Sequence, residues 1–420
     1  MDATAPSIES IDSIDLTDYE LWRRGVPHEL FTRLRQEAPV WRHPDTPGTE
    51  PVGGGFWLLS RHADVQAVSR NHDDFRSLEG PSLPGDPPGR EGMRIVSMDP
   101  PQHTRLRRLI SAGFTPRMVS TLESQAREWA VAILDNAGEL GECNFVQEVA
   151  YQLPMHMIAD IVGIPQSDRT WLFDRVNVLL QSSDPRSYLS PEERTGIQAE
   201  MFGYAHQLGE EKRRNPADDV WTTLTQAELE QPDGSRSSLN ELELDLFFLV
   251  LAFAGSETTR GAISAGLLAL VEHPDQMQRL REDPSTVATV ADEIVRWASP
   301  VTYFRRTTVR EVEIRGIRIG PGERVILCYP SANRDEEVFS DPFAFDVGRT
   351  PNPQVSFGGG GVHYCLGAHL ARREIRVLFE ELLSRVGDIE LLGDPEYSVQ
   401  GIENPITVGL KDLPVRLSLR

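Results

Sequence analysis

The chain has 420 residues, of which 39% are hydrophobic and 25% charged; this is a globular composition with enough apolar material for a large core, and the length alone makes two domains the default. Its net charge of −22 makes the molecule as a whole repel nucleic acid and anionic membranes, so any basic patch must be a local arrangement. The three cysteines, Cys143, Cys328 and Cys365, exclude a disulfide framework and a zinc site built from cysteine alone, and they suit a reducing cytoplasm.

The first twenty residues are acidic and polar, which predicts neither a signal peptide nor an anchor. The longest apolar run, Leu246 to Gly255, is about half of what a bilayer requires, so a cytoplasmic protein is expected. In chain order, Phe56–Ser60 reads as a short strand and a helix follows from His62. Residues 78–92 form a Gly/Pro-rich loop long enough to suggest function. From Gln102 to about Pro274 the pattern is helical. Residues 240–273 contain no proline and lie between Pro232 and Pro274, which predicts one very long helix. Residues 306–328 alternate apolar and polar around a Gly-Pro-Gly turn, the pattern of a hairpin or small sheet. Residues 366–386 are helical again, and the last thirty read as short strands. The expected fold is mostly α with a minor β portion. It forms one unit over residues 1–420, with no boundary between independent domains and no fused reductase or ferredoxin domain.

The run FGGGGVHYCLGAHLARRE, residues 357–374, sets four glycines and His363 before a cysteine at the start of a helix. A helix N-terminus carries partial positive charge and lowers a thiol's pKa. The glycines let backbone N–H groups turn toward the sulfur and let a flat body approach. The expected product is a hydrogen-bonded thiolate in a glycine cradle. A thiolate serves as nucleophile or as metal ligand. His363 is a potential base for the first role, but nothing else supports a triad, and haem iron is the partner that needs a broad flat approach. A glycine-rich turn with a structural cysteine is the bland alternative.

The segment VHYCLGAHLAR resembles the cysteine loop of the cytochrome P450 superfamily, the haem-thiolate monooxygenases. The usual phenylalanine seven residues before the cysteine is replaced by Gly358, and Phe357 stands eight before, so the loop is one residue longer. A similar loop occurs in a bacterial branch that includes oxidases of sterols and branched lipids. The resemblance extends from about residue 20 to 415 through three further motifs. Ala254–Thr259 (AGSETT), in the long helix, matches the acid–alcohol pair: Ala254 and Gly255 leave room for haem and dioxygen, while Glu257 and Thr258 relay protons. Glu293 and Arg296 match the ExxR pair, completed by Arg349, as a structural support. Glu91–Arg94, Glu210–Arg213 and Glu211–Arg214 share that spacing and read as solvated faces. His103 and Arg107, with Arg306 and His363, match the groups that receive the haem propionates, and Gly367 belongs to the same haem-contacting loop.

The resemblance implies haem b as cofactor, Cys365 as axial iron ligand, and insertion of one oxygen atom from O2 into an unactivated C–H bond by hydroxylation or epoxidation. Electrons come from a separate ferredoxin and reductase. Arg105, Arg107, Arg108 and Arg117, with Arg372, Arg373 and Arg376, are expected to form a basic face for an acidic ferredoxin. The substrate is expected to be a hydrophobic small molecule such as a terpenoid, steroid, fatty acyl chain or macrolide. It would meet the loop after Phe75, the stretch around 170–200, Val301, Tyr303, Phe304 and the segment 401–404 with Ile402. Three other readings are a peroxide-driven haem-thiolate enzyme, a non-catalytic haem-binding protein, and a zinc site of His363, Cys365 and His369 without an evident fourth ligand.

Overall fold

Helices dominate a computed structural model that describes residues 10–111, 113, 116–181, 189–230, 234–398 and 408–420. The long helix runs from Glu241 to Glu272, 32 residues, and starts with a capping box in which Asn240 and Glu243 satisfy each other's backbone amides. Among the described residues it is long and apolar enough to cross a membrane by composition, with a best-window mean hydropathy of 1.3, but 56% of that window is packed inside the protein. It is a core helix, apolar around most of its circumference because neighbours cover most of it. The helices Pro116–Leu140, Gln152–Val162, Val287–Ala298 and Ala368–Arg385 bury their apolar faces in one continuous cluster with it, from Leu109 and Phe145 to Leu382 and Leu417.

The β portion is a five-stranded sheet in the order Val40–Arg42, Trp57–Leu59, Arg324–Cys328, Tyr303–Thr308, Phe75–Arg76. Trp57–Leu59 pairs with Arg324–Cys328 in parallel, and the other pairs are antiparallel. A hairpin lies within residues 306–328, Val312–Ile314 with Ile317–Ile319, but it turns at Arg315 and Gly316; the Gly-Pro-Gly turn expected at its centre leads from it into Arg324–Cys328 of the larger sheet. A second sheet joins Val386–Leu391, Pro414–Leu419 and Glu142–Asn144. That last strand, and the hairpin Glu228–Glu230 with Arg236–Ser238, lie where the sequence pattern reads as helical. Segments of three residues are shorter than the period by which a strand is recognised.

Candidate active site

The cysteine loop departs from the expected cradle in three ways. The helix begins at Ala368 with Gly367 as its N-cap, so Cys365 precedes the helix instead of sitting in its first turn. Glycines 358–361 all have positive φ, but Gly359, Gly360 and Gly361 turn toward the helix His62–Arg70. A Cβ on Gly361 would meet the Ser69 carbonyl oxygen at 2.3 Å, and one on Gly360 would meet Arg70 Nε at 2.8 Å. Gly361 is required by backbone packing against that helix end, while Gly367 has open space where its Cβ would be. The Cys365 amide closes the loop by donating to the Phe357 carbonyl at 2.9 Å.

The thiol itself is held above its ordinary pKa. Burial raises it by more than the amides of Gly367 and Ala368 and the guanidiniums of Arg107 and Arg372 lower it. This corrects the expectation of a thiolate made by the protein alone: the donors are present, but desolvation wins. A metal cation at the sulfur inverts that balance and deprotonates a coordinating thiol. Cys365 is nevertheless solvent-accessible. Ala254 is likewise exposed in the middle of a core helix, while its neighbours Ala252 and Ser256 are buried.

On the long helix, Thr258 donates its hydroxyl to the Ala254 carbonyl at 2.8 Å. Its lone pairs remain as acceptors, and its proton is spent locally in this arrangement. Glu257 is buried and paired with Arg260 at 2.5 Å one turn along, with the guanidinium 6.0 Å from the Tyr151 ring. Gly255 packs against Ile158, whose Cδ1 would lie 3.0 Å from an added Cβ. It therefore serves helix packing, and Ala254 is left as the small residue on the open side.

Two guanidiniums, Arg107 and Arg306, and two imidazoles, His103 and His363, converge beside the cysteine loop. The His103 and His363 rings lie 4.3 Å apart. Burial and the charges of Arg306 and Arg107 depress both, His103 to about 4 and His363 to about 2. Burial also lowers Arg107 and Arg306. His103 Nδ1 and His363 Nε2 are buried without a hydrogen-bond partner. The acid in Arg306's field is Asp99, whose oxygens already accept the amides of Ser77 and Leu78 at 2.9 and 3.1 Å. Buried cations and orphaned ring nitrogens without a free counter-charge fit a ligand that brings its own carboxylates. The two propionates of haem answer that description. The zinc reading fails: among the described residues no group of three His, Cys, Asp or Glu side chains is placed to hold a metal ion, because His363 is directed to His103.

The support beneath the loop is fully buried. Glu293 accepts Arg296 Nε and Nη2, each at 2.7 Å, and Arg349 Nε at 3.2 Å. The two arginines spend their remaining N–H groups on the carbonyls of Asn333, Ser340, Asp341, Pro342 and Ala344. Asn333 carries the connection onward, donating to Ser356 Oγ at 2.6 Å and accepting the Val355 amide at 2.8 Å. Phe357 follows directly, with Arg372 4.3 Å above its ring. Asn333 and Asn352, which donates to Glu293 at 3.1 Å, escaped the sequence reading because no local spacing marks them.

The anticipated basic face is largely neutralised. Arg105 pairs with Glu243, Arg372 with Asp292 at 2.9 Å, and Arg373 and Arg376 share Glu123 at 2.8 and 2.5 Å. Arg108 is exposed and makes no ion pair among the described residues. The Arg117 side chain and Ile402 lie outside the described residues, as do residues 182–188 of the stretch around 170–200. Tyr303 and Val301 are packed in hydrophobic clusters, with the Tyr303 hydroxyl accepting the Leu83 amide at 3.2 Å; strand alternation turns Tyr303 away from Phe304 and Arg306. One acid the sequence reading passed over is Glu374, 3% exposed on the cysteine helix. No hydrogen bond or ion pair reaches it among the described residues, and burial alone pushes its pKa up to about 8.

A family model described as Cytochrome P450 matches residues 19–291 and 285–387. The chain is 41% identical over 413 residues to a steroid C26-monooxygenase of Mycobacterium tuberculosis (strain ATCC 25618 / H37Rv), covering 96% of this chain and 93% of that one. It is 38% identical over 429 residues to a methyl-branched lipid omega-hydroxylase of Mycobacterium bovis (strain ATCC BAA-935 / AF2122/97), covering 100% and 98%. A solved Mycobacterium marinum cytochrome P450 in complex with pseudoionone superposes with a TM-score of 0.86 at 37% identity, over 97% of this chain and 99% of that one. These matches run through almost the whole length, and the chain belongs to the cytochrome P450 family of haem-containing monooxygenases.

Proposed function

We propose that this enzyme hydroxylates a methyl-bearing aliphatic chain of a steroid or methyl-branched lipid, with electrons from a ferredoxin in the cytoplasm. The observation that carries the substrate class is the similarity, across 96% of this chain, to a relative named for oxidising steroid C26. We read the chain as one unit over residues 1–420, which the apolar cluster spanning residues 98–417 supports.

Haem bound at Cys365 supplies dioxygen activation, the chemistry no amino-acid side chain offers. Cys365 would hold the iron, and Gly367 would leave space beside it. His103, Arg107, Arg306 and His363 would take the propionates. Glu293, Arg296 and Arg349 fix the segment that leads into the loop through Asn333 and Ser356. Thr258 presents hydroxyl lone pairs on the open side of the long helix. Glu257, held by Arg260, is the adjacent acid from which protons are passed on. Arg108 is the exposed cation around which an acidic ferredoxin docks, and raising salt should slow that encounter.

The test is an absorption spectrum of reduced protein under carbon monoxide, followed by ligand titration. A strongly red-shifted Soret band that disappears in Cys365→Ala, with a spin-state shift on adding a sterol or a methyl-branched fatty acid, is expected. An ordinary haem–CO band in fresh protein would overturn the thiolate assignment. A thiolate band with no response to either lipid would overturn the substrate class alone.

A further inference from the structure

The Gly/Pro-rich loop that opens at Leu78 is two structures in series. Residues 79–86 form a hoop closed by the Asp86 amide donating to the Glu79 carbonyl at 2.7 Å. Gly80 and Gly85 both turn through positive φ, and an added Cβ at either would collide with the hoop's own backbone, at 2.7 Å from Asp86 N and 2.6 Å from Glu79 O. The hoop hangs on the strand Tyr303–Thr308. The Arg305 amide donates to the Pro81 carbonyl at 2.8 Å, extending the ladder that Phe75 and Arg76 begin against Thr308 and Thr307. The Leu83 amide donates to Tyr303 Oη at 3.2 Å, and Arg305 Nη1 donates to the Leu83 carbonyl at 2.9 Å. The Leu83 side chain is fully buried in a cluster with Phe56, Leu58, Tyr303 and Ile326. One residue is therefore gripped by its amide, its carbonyl and its side chain.

The second half of the loop is tied back to the hoop by Arg94, which pairs with Asp86, but has no such grip on the strand Tyr303–Thr308. Residues 87–91 are exposed, and the short turn Ile95–Ser97 carries half-buried Ile95 and Val96. Both ends of the whole loop lead to the groups assigned to the haem edge. Asp99 accepts the amides of Ser77 and Leu78 with its side chain and the His103 amide with its carbonyl, the last at 3.0 Å. The Met98 backbone lies beside the His363 ring. On the other side, Arg306 Nη1 donates to the Arg305 carbonyl at 2.8 Å.

We propose that Tyr303 and Arg305 are positioning residues for substrate recognition: by pinning Leu83 they set where residues 87–98 begin, and so the shape of the wall those residues present beside the cofactor. Tyr303 touches no substrate in this arrangement and acts one layer behind it. The part of the proposal that concerns substrate rests on the haem-thiolate reading above; the pin itself does not.

The experiment is Tyr303→Phe, which keeps the ring and its packing and removes the hydroxyl that accepts the Leu83 amide. Amide hydrogen exchange of the peptide 78–86 is measured alongside spectral titration with imidazole and with 4-phenylimidazole. Exchange at Leu83 should quicken about tenfold, while that at the cysteine helix is unchanged, which a general loosening of the fold would not produce. Affinity for 4-phenylimidazole should change about threefold or more relative to the small imidazole, with the red-shifted CO band retained. Unchanged exchange at Leu83 would overturn the pin. Quickened exchange with both imidazoles shifted equally would overturn the link to recognition. Loss of the CO band in the unsubstituted protein would sink the haem-thiolate reading and leave the exchange result to judge the pin.

Discussion

Replacing Glu374 with glutamine should flatten part of the protein's pH–stability profile. The carboxyl is 3% exposed, and burial moves its pKa from 4.5 to about 8. Below pH 4.5 both folded and unfolded chains hold this proton, and the group costs nothing. As pH rises toward 8 the unfolded chain releases the proton and the folded chain keeps it, so stability falls with pH. At 1.36 kcal/mol per unit the loss is about 1 kcal/mol at pH 5, about 3 at pH 7, and about 5 above pH 8. Glutamine is neutral in both states and lacks this slope. Urea unfolding of the unsubstituted protein and Glu374→Gln at pH 5, 6, 7 and 8, at fixed ionic strength, should show the variant gaining about 2 to 3 kcal/mol relative to the parent between pH 5 and 7. Parallel profiles, within about 0.5 kcal/mol, would refute the claim that Glu374 is buried without compensation.

Arg260→Met should cost about 3–5 kcal/mol, because it removes a cation paired with the buried Glu257 carboxylate; at Arg214, whose ion pairs are exposed, the same substitution should cost less than about 1 kcal/mol in the same unfolding assay. Gly361→Ala combines φ +77° with a 2.3 Å approach to the Ser69 carbonyl and should lower stability by more than Gly141→Ala. That second site has φ +73° but open space, so only the left-handed backbone term of about 1–2 kcal/mol applies. Gly367→Ala should leave the unfolding midpoint of haem-free protein unchanged while reducing haem retention, measured by transfer to apomyoglobin. Arg108→Glu should raise the ferredoxin KM several-fold and weaken its salt dependence. The same change at Arg373, whose charge is already matched by Glu123, should do less.

Where chemistry and spacing coincide, the sequence was legible. Cys365 behind its glycines, Glu293 with Arg296, and His103 with Arg107 all sit in short windows, so one element fixes their relation. The proline-free span 240–273 gave the long helix almost to the residue, because capping and proline exclusion are local rules. The directions of groups were not legible. Whether Gly361 yields to a cofactor or to the end of helix His62–Arg70 depends on a contact nearly 300 positions away in sequence. The charges of Arg373 and Arg376 look like a docking face until Glu123, some 250 residues upstream, is seen beside them. Tyr303 reads as a pocket aromatic until strand alternation turns it toward Leu83. Glu374 follows Arg373 and stands two before Arg376 in the sequence, and helical rotation sends it into the core while they pair with Glu123.

The strand order of the larger sheet carries a consequence for synthesis. Trp57–Leu59 lies between Val40–Arg42 and Arg324–Cys328, so its second edge waits for a segment made 265 residues later (324 − 59). At about 5–20 residues per second that delay is roughly 13–50 s, during which an apolar Trp-Leu-Leu edge is open to other chains. The cysteine loop emerges later still, after every other group assigned to the haem edge. Cofactor capture is therefore a closing event of biogenesis, and growing chains stalled near residue 300 should be protease-sensitive at Trp57–Leu59 and unable to retain haem; protection of that strand at this length would contradict the expected order.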